Sequence, residues 1–421
     1  MFDSANGLIT RRTWLLAGAL LTALTAGWSA AEEPRYYKLP FLERLPRSEL
    51  AHNERFHALA SEEVPFSSED RGLLERLRPF MEDFLAWYPA GLARTPADTR
   101  KRLGLTEDSA IPDYCAISDG SKALRVLLGG LAWQSQEVAY VRLILASLAY
   151  ARDVHGAFDL KSNVFPCIFS GAIEQPSLRH LLRHTAAKPL SAGQRELLLR
   201  EFGRLDTPAL DVERLLADRP DQVEARIDAL LDQTSRGEYL GRDRIVRWGV
   251  RLFREKVKLL VTRRVTEHYR RVRNLLALPP SRSLSALESC GRTWRLRLGS
   301  TPSWSSFLEA PAEVAALRIQ ESMTPDPTSL VREHATTECY RRGLLVVLQV
   351  LGFQAAKGRL AADLTELERW TGKAVPSNPF TDAPLSYRVD ADAFRLEASL
   401  EQPTAGSPIR PSALVLWGPG Q

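Results

Sequence analysis

A chain of 421 residues with 44% hydrophobic and 25% charged side chains has the composition of a folded globular protein, which excludes wholesale disorder and a multi-span membrane protein. Its length exceeds what one hydrophobic core commonly serves, so two packed regions are expected. The formal net charge, +5, is smaller than the surplus carried by a single helical segment, residues 242–273.

At the amino terminus Arg11 and Arg12 precede an apolar run from Trp14 to Gly27, and Ser29, Ala30 and Ala31 follow it before Glu32 and Glu33. Positive charge, a short apolar stretch and a small-residue exit form the pattern of a secretory signal peptide, with cleavage after Ala31. If it is not cleaved, the same run can serve as a single amino-terminal anchor, although it falls short of the roughly 20 apolar residues that span a bilayer comfortably. The string TRRTWLL at residues 10–16 also resembles a twin-arginine export signal, with Leu16 in place of the usual lysine. Export places the chain in the periplasm or cell envelope, where Cys115, Cys167, Cys290 and Cys339 could form two disulfides in any of three connectivities, Cys115 with Cys167 and Cys290 with Cys339 being the nearest-neighbour expectation, or remain buried thiols.

Residues 67–88 predict a helix: Ser67 can cap it, Glu69 and Asp70 suit its positive end, and Leu73, Leu74, Leu77, Phe80, Met81, Phe84, Leu85 and Tyr88 recur at helical spacing. Pro79 is expected to kink it. Two more helical runs from Ser121 to Ala151 read as a hairpin, parted at Gly129-Gly130 or at Gln134-Ser135-Gln136. Further helices are expected at about 175–187, 191–204, 208–217, 220–234 and 243–277, with no fixed-period repeat among them.

Within the last of these, twelve Lys or Arg residues between Arg242 and Arg273 stand against Asp243, Glu255 and Glu267, a surplus of nine. Val246, Val250, Phe253, Val257, Leu260, Val261, Val265, Tyr269 and Val272 keep helical spacing, so one face packs and the others carry charge. In an exported protein the anions available to that charge are lipid headgroups, acidic glycans or an acidic partner, and nucleic acid is not expected. An evenly solvated arginine-rich face is the plainer alternative.

Pro279, Pro280 and the serine-rich stretch to Ser306 predict a break, with a short strand at Trp294–Leu298. Helices follow at about 311–322 and 328–357, and the apolar run Leu344–Phe353 is expected to be buried on all sides. The period then changes to two: Leu385, Tyr387 and Val389 alternate, as do Phe394, Leu396 and Ala398. This predicts a hairpin turning through Asp390–Ala393, with Ala413–Trp417 as a third strand. The fold class is mainly α, stacked helical hairpins with a small carboxy-terminal β-hairpin module. The sequence divides into a signal peptide or anchor at 1–31, a helical region at 32–282, a linker-like segment at 283–310 and a helical segment with the hairpin at 311–421.

The stretch Gln354–Ser399, with AKGRLAADLTELE and AVPSNPFTDAPLSYRVDADAFRLEAS, resembles a carboxy-terminal module of uncharacterised exported helical proteins of planctomycete-like bacteria. Upstream, LILASLAYARDV and AKPLSAGQRELLLREFGRLD look like that group's helical body. The resemblance implies a fold and a location and no activity. The turn also resembles the end of the type II secretion major pseudopilins. However, the chain lacks the prepilin amino terminus, and Asn378 stands where the usual Asp precedes Pro379, so no pilin function follows. Pro376 and Pro379 restrict this turn, Phe380 can pack beneath the hairpin, and Asp382 can bond its own backbone.

Candidate chemistry is sparse. His180 and His184, four apart on a helix, could ligate a metal, but Leu181 stands where a zinc protease carries glutamate and no third ligand is marked. Asp153, His155 and Asp159 could form an acid/base cluster at a helix end, although a His there more often meets free carbonyls. There is no serine nucleophile elbow, phosphate-binding glycine loop, dinucleotide fingerprint or Ser-x-x-Lys pattern. No residue is assigned as catalytic, cofactor-binding or metal-ligating, and no cofactor is implied. The leading reading is an exported envelope scaffold that binds a protein partner, with docking on an anionic membrane surface through residues 242–273 as a further partner. The alternative is an exported hydrolase of cell-wall or extracellular polymer working through carboxylates that only the fold would bring together.

Overall fold

The structure, a computed structural model, describes residues 36–37, 39–89, 96–105, 111–157, 165–202, 220–236, 244–287, 289, 310–323, 328–390, 393–400 and 413–418. The amino-terminal segment, the helix expected at 208–217, the strand expected at Trp294–Leu298, Asp159 and Cys290 lie outside them. The chain divides into two compact units. It passes from the larger (Tyr36–Ala217) to the smaller (Asp218–Arg271), back for Val272–Gly291, again to the smaller for Arg292–Pro325, and ends in the larger from Asp326 onward.

In the larger unit, a two-residue strand β1 (Tyr36–Tyr37) pairs parallel with β2 (Ile111–Pro112). Between them lie α1 (Arg47–Leu50), α2 (Glu54–Ala60), α3 (Arg71–Trp87) and α4 (Pro96–Leu103). The expected apolar face of α3 is the buried one, with Leu73, Leu74, Leu77, Phe80 and Phe84 in the core. Ser67 serves a single 3-10 turn ahead of it, where its backbone N–H donates to Asp70 at 2.7 Å and its hydroxyl at 3.2 Å. Arg55 clamps the same carboxylate with two bonds of 2.7 Å, and that hydrogen bonding holds Asp70 down at about 2. The helix continues through Pro79 as one element.

The hairpin of α5 (Tyr114–Trp133) and α6 (Glu137–Gly156) breaks at Gln134–Gln136, where Ser135 takes φ 57°. Gly129 and Gly130 lie inside α5, where a Cβ would come within 2.4 Å of Phe66 and Leu74; here glycine permits close approach and leaves the helix intact. Next comes α7 (Phe165–Ala187), which starts ten residues before the predicted helix and includes Pro176, then α8 (Ala192–Phe202).

The smaller unit contains α9 (Pro220–Arg236), α10 (Arg244–Leu276) and α11 (Pro311–Met323). Its core is small: Ile227, Leu231, five valines of α10, Ala312, Ala315, Ala316 and Ile319. The last turn of α10, with Val272 and Leu276 buried, belongs to the larger unit. The helical run breaks as expected at residues 277–279, but the break is short: residues 280–287 are helical again, with Ser281, Ser283, Leu284 and Leu287 buried. Proline suits the first turn of a helix, where its missing N–H has no intrahelical partner to lose.

In the larger unit, α12 (Thr328–Lys357) packs against α7, α8, α13 (Leu364–Thr371) and the carboxy-terminal sheet. This surrounding explains why Leu344, Val346, Val347, Leu348, Val350 and Phe353 are all buried. The sheet is antiparallel in the order β3 (Ser386–Asp390), β4 (Ala393–Ser399), β5 (Ala413–Trp417). Phe394, Leu396 and Ala398 of the central strand are buried, while edge strand β3 leaves Val389 exposed. Phe394 stacks on Trp417 at 3.8 Å. In the proline turn, Asn378 is buried and donates to Ser399 O at 2.7 Å while its side-chain oxygen accepts from Phe380 N at 3.0 Å. Phe380 packs as expected. The Asp382 carboxylate instead takes a hydrogen bond from the Ser281 hydroxyl, 101 residues away in sequence.

Candidate functional site

Helix α10 owes its position in the smaller unit to Val246, Val250, Val257, Val261 and Val265, all buried. A kink at Phe253 (φ −133°, ψ 35°) divides it. The cations next to the packed face are matched by acids of the neighbouring helices. Arg254 meets Asp232 at 2.7 Å, Lys258 meets Asp228 at 2.8 Å and Glu224 at 3.1 Å, and Arg264 pairs with Glu313 of α11. Glu224, Asp228 and Asp232 recur every four residues on α9, so they form one acidic ridge facing this side of α10. The hydrogen bonds that Lys258 donates to Asp228 and Glu224 raise its pKa. Arg251 donates to Ser235 O at 2.9 Å.

The outward side is different. Trp248, Leu252 and Leu259, spaced by four and seven, are 52%, 58% and 69% exposed, and Phe253 at the kink is exposed as well. Beside them Lys256, Arg263 and Arg270 recur every seven residues. These three cations are exposed and have no ion-pair partner among the described residues. A Trp-Leu stripe flanked by basic side chains is the chemical form of an interfacial helix, in which apolar groups enter the acyl boundary and long cationic side chains reach headgroup phosphates. Composition alone indicated the charge; it did not indicate that aromatic and leucine side chains share the solvent side.

The metal reading of His180 and His184 is not supported by the geometry. His180 faces Glu62 with Nε2 3.9 Å from its carboxylate, and burial lowers its pKa to about 4. His184 lies on the Tyr140 ring at 4.4 Å. Among the described residues no group of three or more His, Cys, Asp or Glu side chains is placed to hold a metal. Asp153 is buried and accepts from Tyr88 Oη at 3.0 Å and Thr99 Oγ1 at 2.9 Å, which ties α3, α4 and α6 together. Cys115 is an exposed free thiol and Cys339 a buried one. The Cys167 side chain lies outside the described residues.

A polar seam between α7 and α12 was not anticipated. Arg341 donates to Glu174 through Nε at 2.9 Å and through Nη2, with both side chains buried. Nearby, a Cβ at Gly171 would lie 3.3 Å from Glu333 Oε1, and burial pushes Glu333 up to about 7. The paired residues are 167 apart in sequence, a separation at which local pattern carries no signal. No family model, no curated protein and no solved structure matches the chain.

Proposed function

We propose that this chain is an exported cell-envelope protein, a helical scaffold that docks peripherally on an anionic phospholipid surface through the outward side of α10. The observation that carries the reading is the Trp248, Leu252 and Leu259 stripe beside Lys256, Arg263 and Arg270. Each cation near an anionic surface contributes about 1 kcal/mol, and burial of the exposed tryptophan and leucines adds to it. Among the described residues no helix is long and apolar enough to cross a membrane. Export rests on the basic, apolar and small-residue succession at residues 11–31, and the mature amino terminus read by mass spectrometry tests it; a chain beginning near Glu32 is expected.

Docking is tested by co-sedimentation of the purified protein with phosphatidylglycerol-containing and with pure phosphatidylcholine vesicles. Binding to the anionic vesicles, release by high salt, and a loss of about tenfold or more in the Trp248→Ser, Leu259→Ser double variant are expected. The variant should keep its stability within about 0.5 kcal/mol, because both side chains are on the surface. Equal retention on neutral vesicles at high salt, or no binding to either, would overturn the reading.

A further inference from the structure

Glu62, in the turn after α2, adopts φ 60°, a left-handed conformation that few non-glycine residues take. Its carboxylate accepts from Arg179 Nη2 at 2.6 Å and from Arg183 Nη1. Burial by itself would raise its pKa, but the charges of Arg179, His180 and Arg183 outweigh that and hold it at about 2. A third guanidinium, Arg125 of α5, is within electrostatic reach of the same carboxylate. Its hydrogen bonds go to backbone carbonyls, Ala60 O at 3.2 Å and Ser121 O at 3.5 Å, and burial lowers its pKa to about 10. Tyr340 of α12 interacts electrostatically with Arg179, Arg183 and Glu62.

Arg179 and Arg183 thus bond one carboxylate and Arg125 lies within its electrostatic reach, and with His180 neutral above about pH 4 the three guanidiniums exceed that carboxylate by two positive charges. Arg183 holds its share of that surplus partly in water, while the share on the enclosed Arg125 and Arg179 is costly unless an anion shares the site. A second observation points the same way. The Tyr140 hydroxyl, fully buried on α6 and within reach of the Glu62 charge, has no hydrogen-bond partner among the described residues, and neither has Arg179 Nε. Buried donors of this kind normally find an acceptor. Access is graded: Arg183 is 47% exposed and Glu62 16%, so the cluster opens to solvent at Arg183 and closes toward Arg125 and Tyr140.

We propose that Arg125, Arg179 and Arg183 form a binding site for a small oxyanion, a phosphate or carboxylate group, with Glu62 as the internal carboxylate that the ligand competes against. Guanidinium groups present paired donors that match either group. This site belongs to the larger unit.

The test is titration of the full chain with inorganic phosphate and, separately, with succinate, ionic strength being held constant with chloride, read by calorimetry and thermal shift. Glu62→Gln is expected to bind phosphate or succinate about tenfold more tightly than the wild type, and the bound anion should raise its melting temperature more than chloride does. Adding Arg183→Ala should abolish that gain. A response to phosphate alone assigns phosphate, and a response to succinate alone assigns carboxylate. If Glu62→Gln folds but neither anion acts on it beyond chloride, Glu62 is a structural tie and the proposal fails. Should that variant not fold, the wild type decides: binding in the millimolar range weakened by Arg183→Ala upholds the site, and indifference to both anions overturns it.

Discussion

The two units are built from the same kind of helix and treat charge in opposite ways. The larger one encloses ionisable groups and pairs several of them inside, as Glu174 with Arg341 and Glu62 with Arg179. The smaller one has an almost wholly aliphatic core, keeps its ion pairs at the rim of α9, α10 and α11, and leaves Trp248, Leu252 and Leu259 in solvent. Enclosed charge fixes which helix surfaces can meet, because a wrong pairing strands an ion in a poor solvent. Charge on the outside leaves a surface free to meet something else.

The sharpest way to break this contrast is at its most buried pair. Arg341→Met should destabilise the larger unit by about 3–5 kcal/mol by urea unfolding, since Glu174 would then be a buried charge without its main partner. Combining it with Glu174→Leu should restore most of the loss, and a double variant as unstable as the single one would show that the pair is not the cause.

A smaller effect of opposite sign is expected at Glu333. Its pKa is raised by burial to about 7 from 4.5, so the folded state holds a proton that the unfolded chain releases earlier. Stability from this group is full below about pH 4.5 and declines until pH 7, by up to about 3 kcal/mol. Glu333→Gln should therefore stabilise the protein at pH 8, change little at pH 4, and flatten the profile between. A variant with the wild-type pH dependence would remove Glu333 as its source.

The smallest effect belongs to the smaller unit. Lys258→Ala breaks pairs with Glu224 and Asp228 that are partly open to water, so the loss of stability should be far below that of Arg341→Met and should shrink as salt is added. A loss comparable to that of Arg341→Met would erase the distinction between the two units.

Much of the fold could be read directly. The α3 face from Leu73 to Phe84, the burial of most of Leu344–Phe353, where Leu345 and Leu351 stay half-buried, and the three-stranded carboxy-terminal sheet followed from apolar spacing, because burial on one side of a helix or strand repeats with the geometry of the element itself. Local rules misplaced the start of α7 and missed the helix at 280–287. There, proline and serine suggested a break, while the buried Ser281, Ser283, Leu284 and Leu287 reward a helix.

The candidate sites divide along the same line. Charge and periodicity are properties of a contiguous segment, so the cationic surplus of α10 over its row of valines was legible before folding. The packing of the helices settled which of those cations the acids of α9 and α11 neutralise, and that Trp248, Leu252 and Leu259 remain outside. It likewise decided that Glu62 would meet Arg179, 117 residues away in sequence. Pairings of this kind depend on which helix faces close against each other, a long-range outcome of burying all the apolar stripes at once, and no single segment contains it.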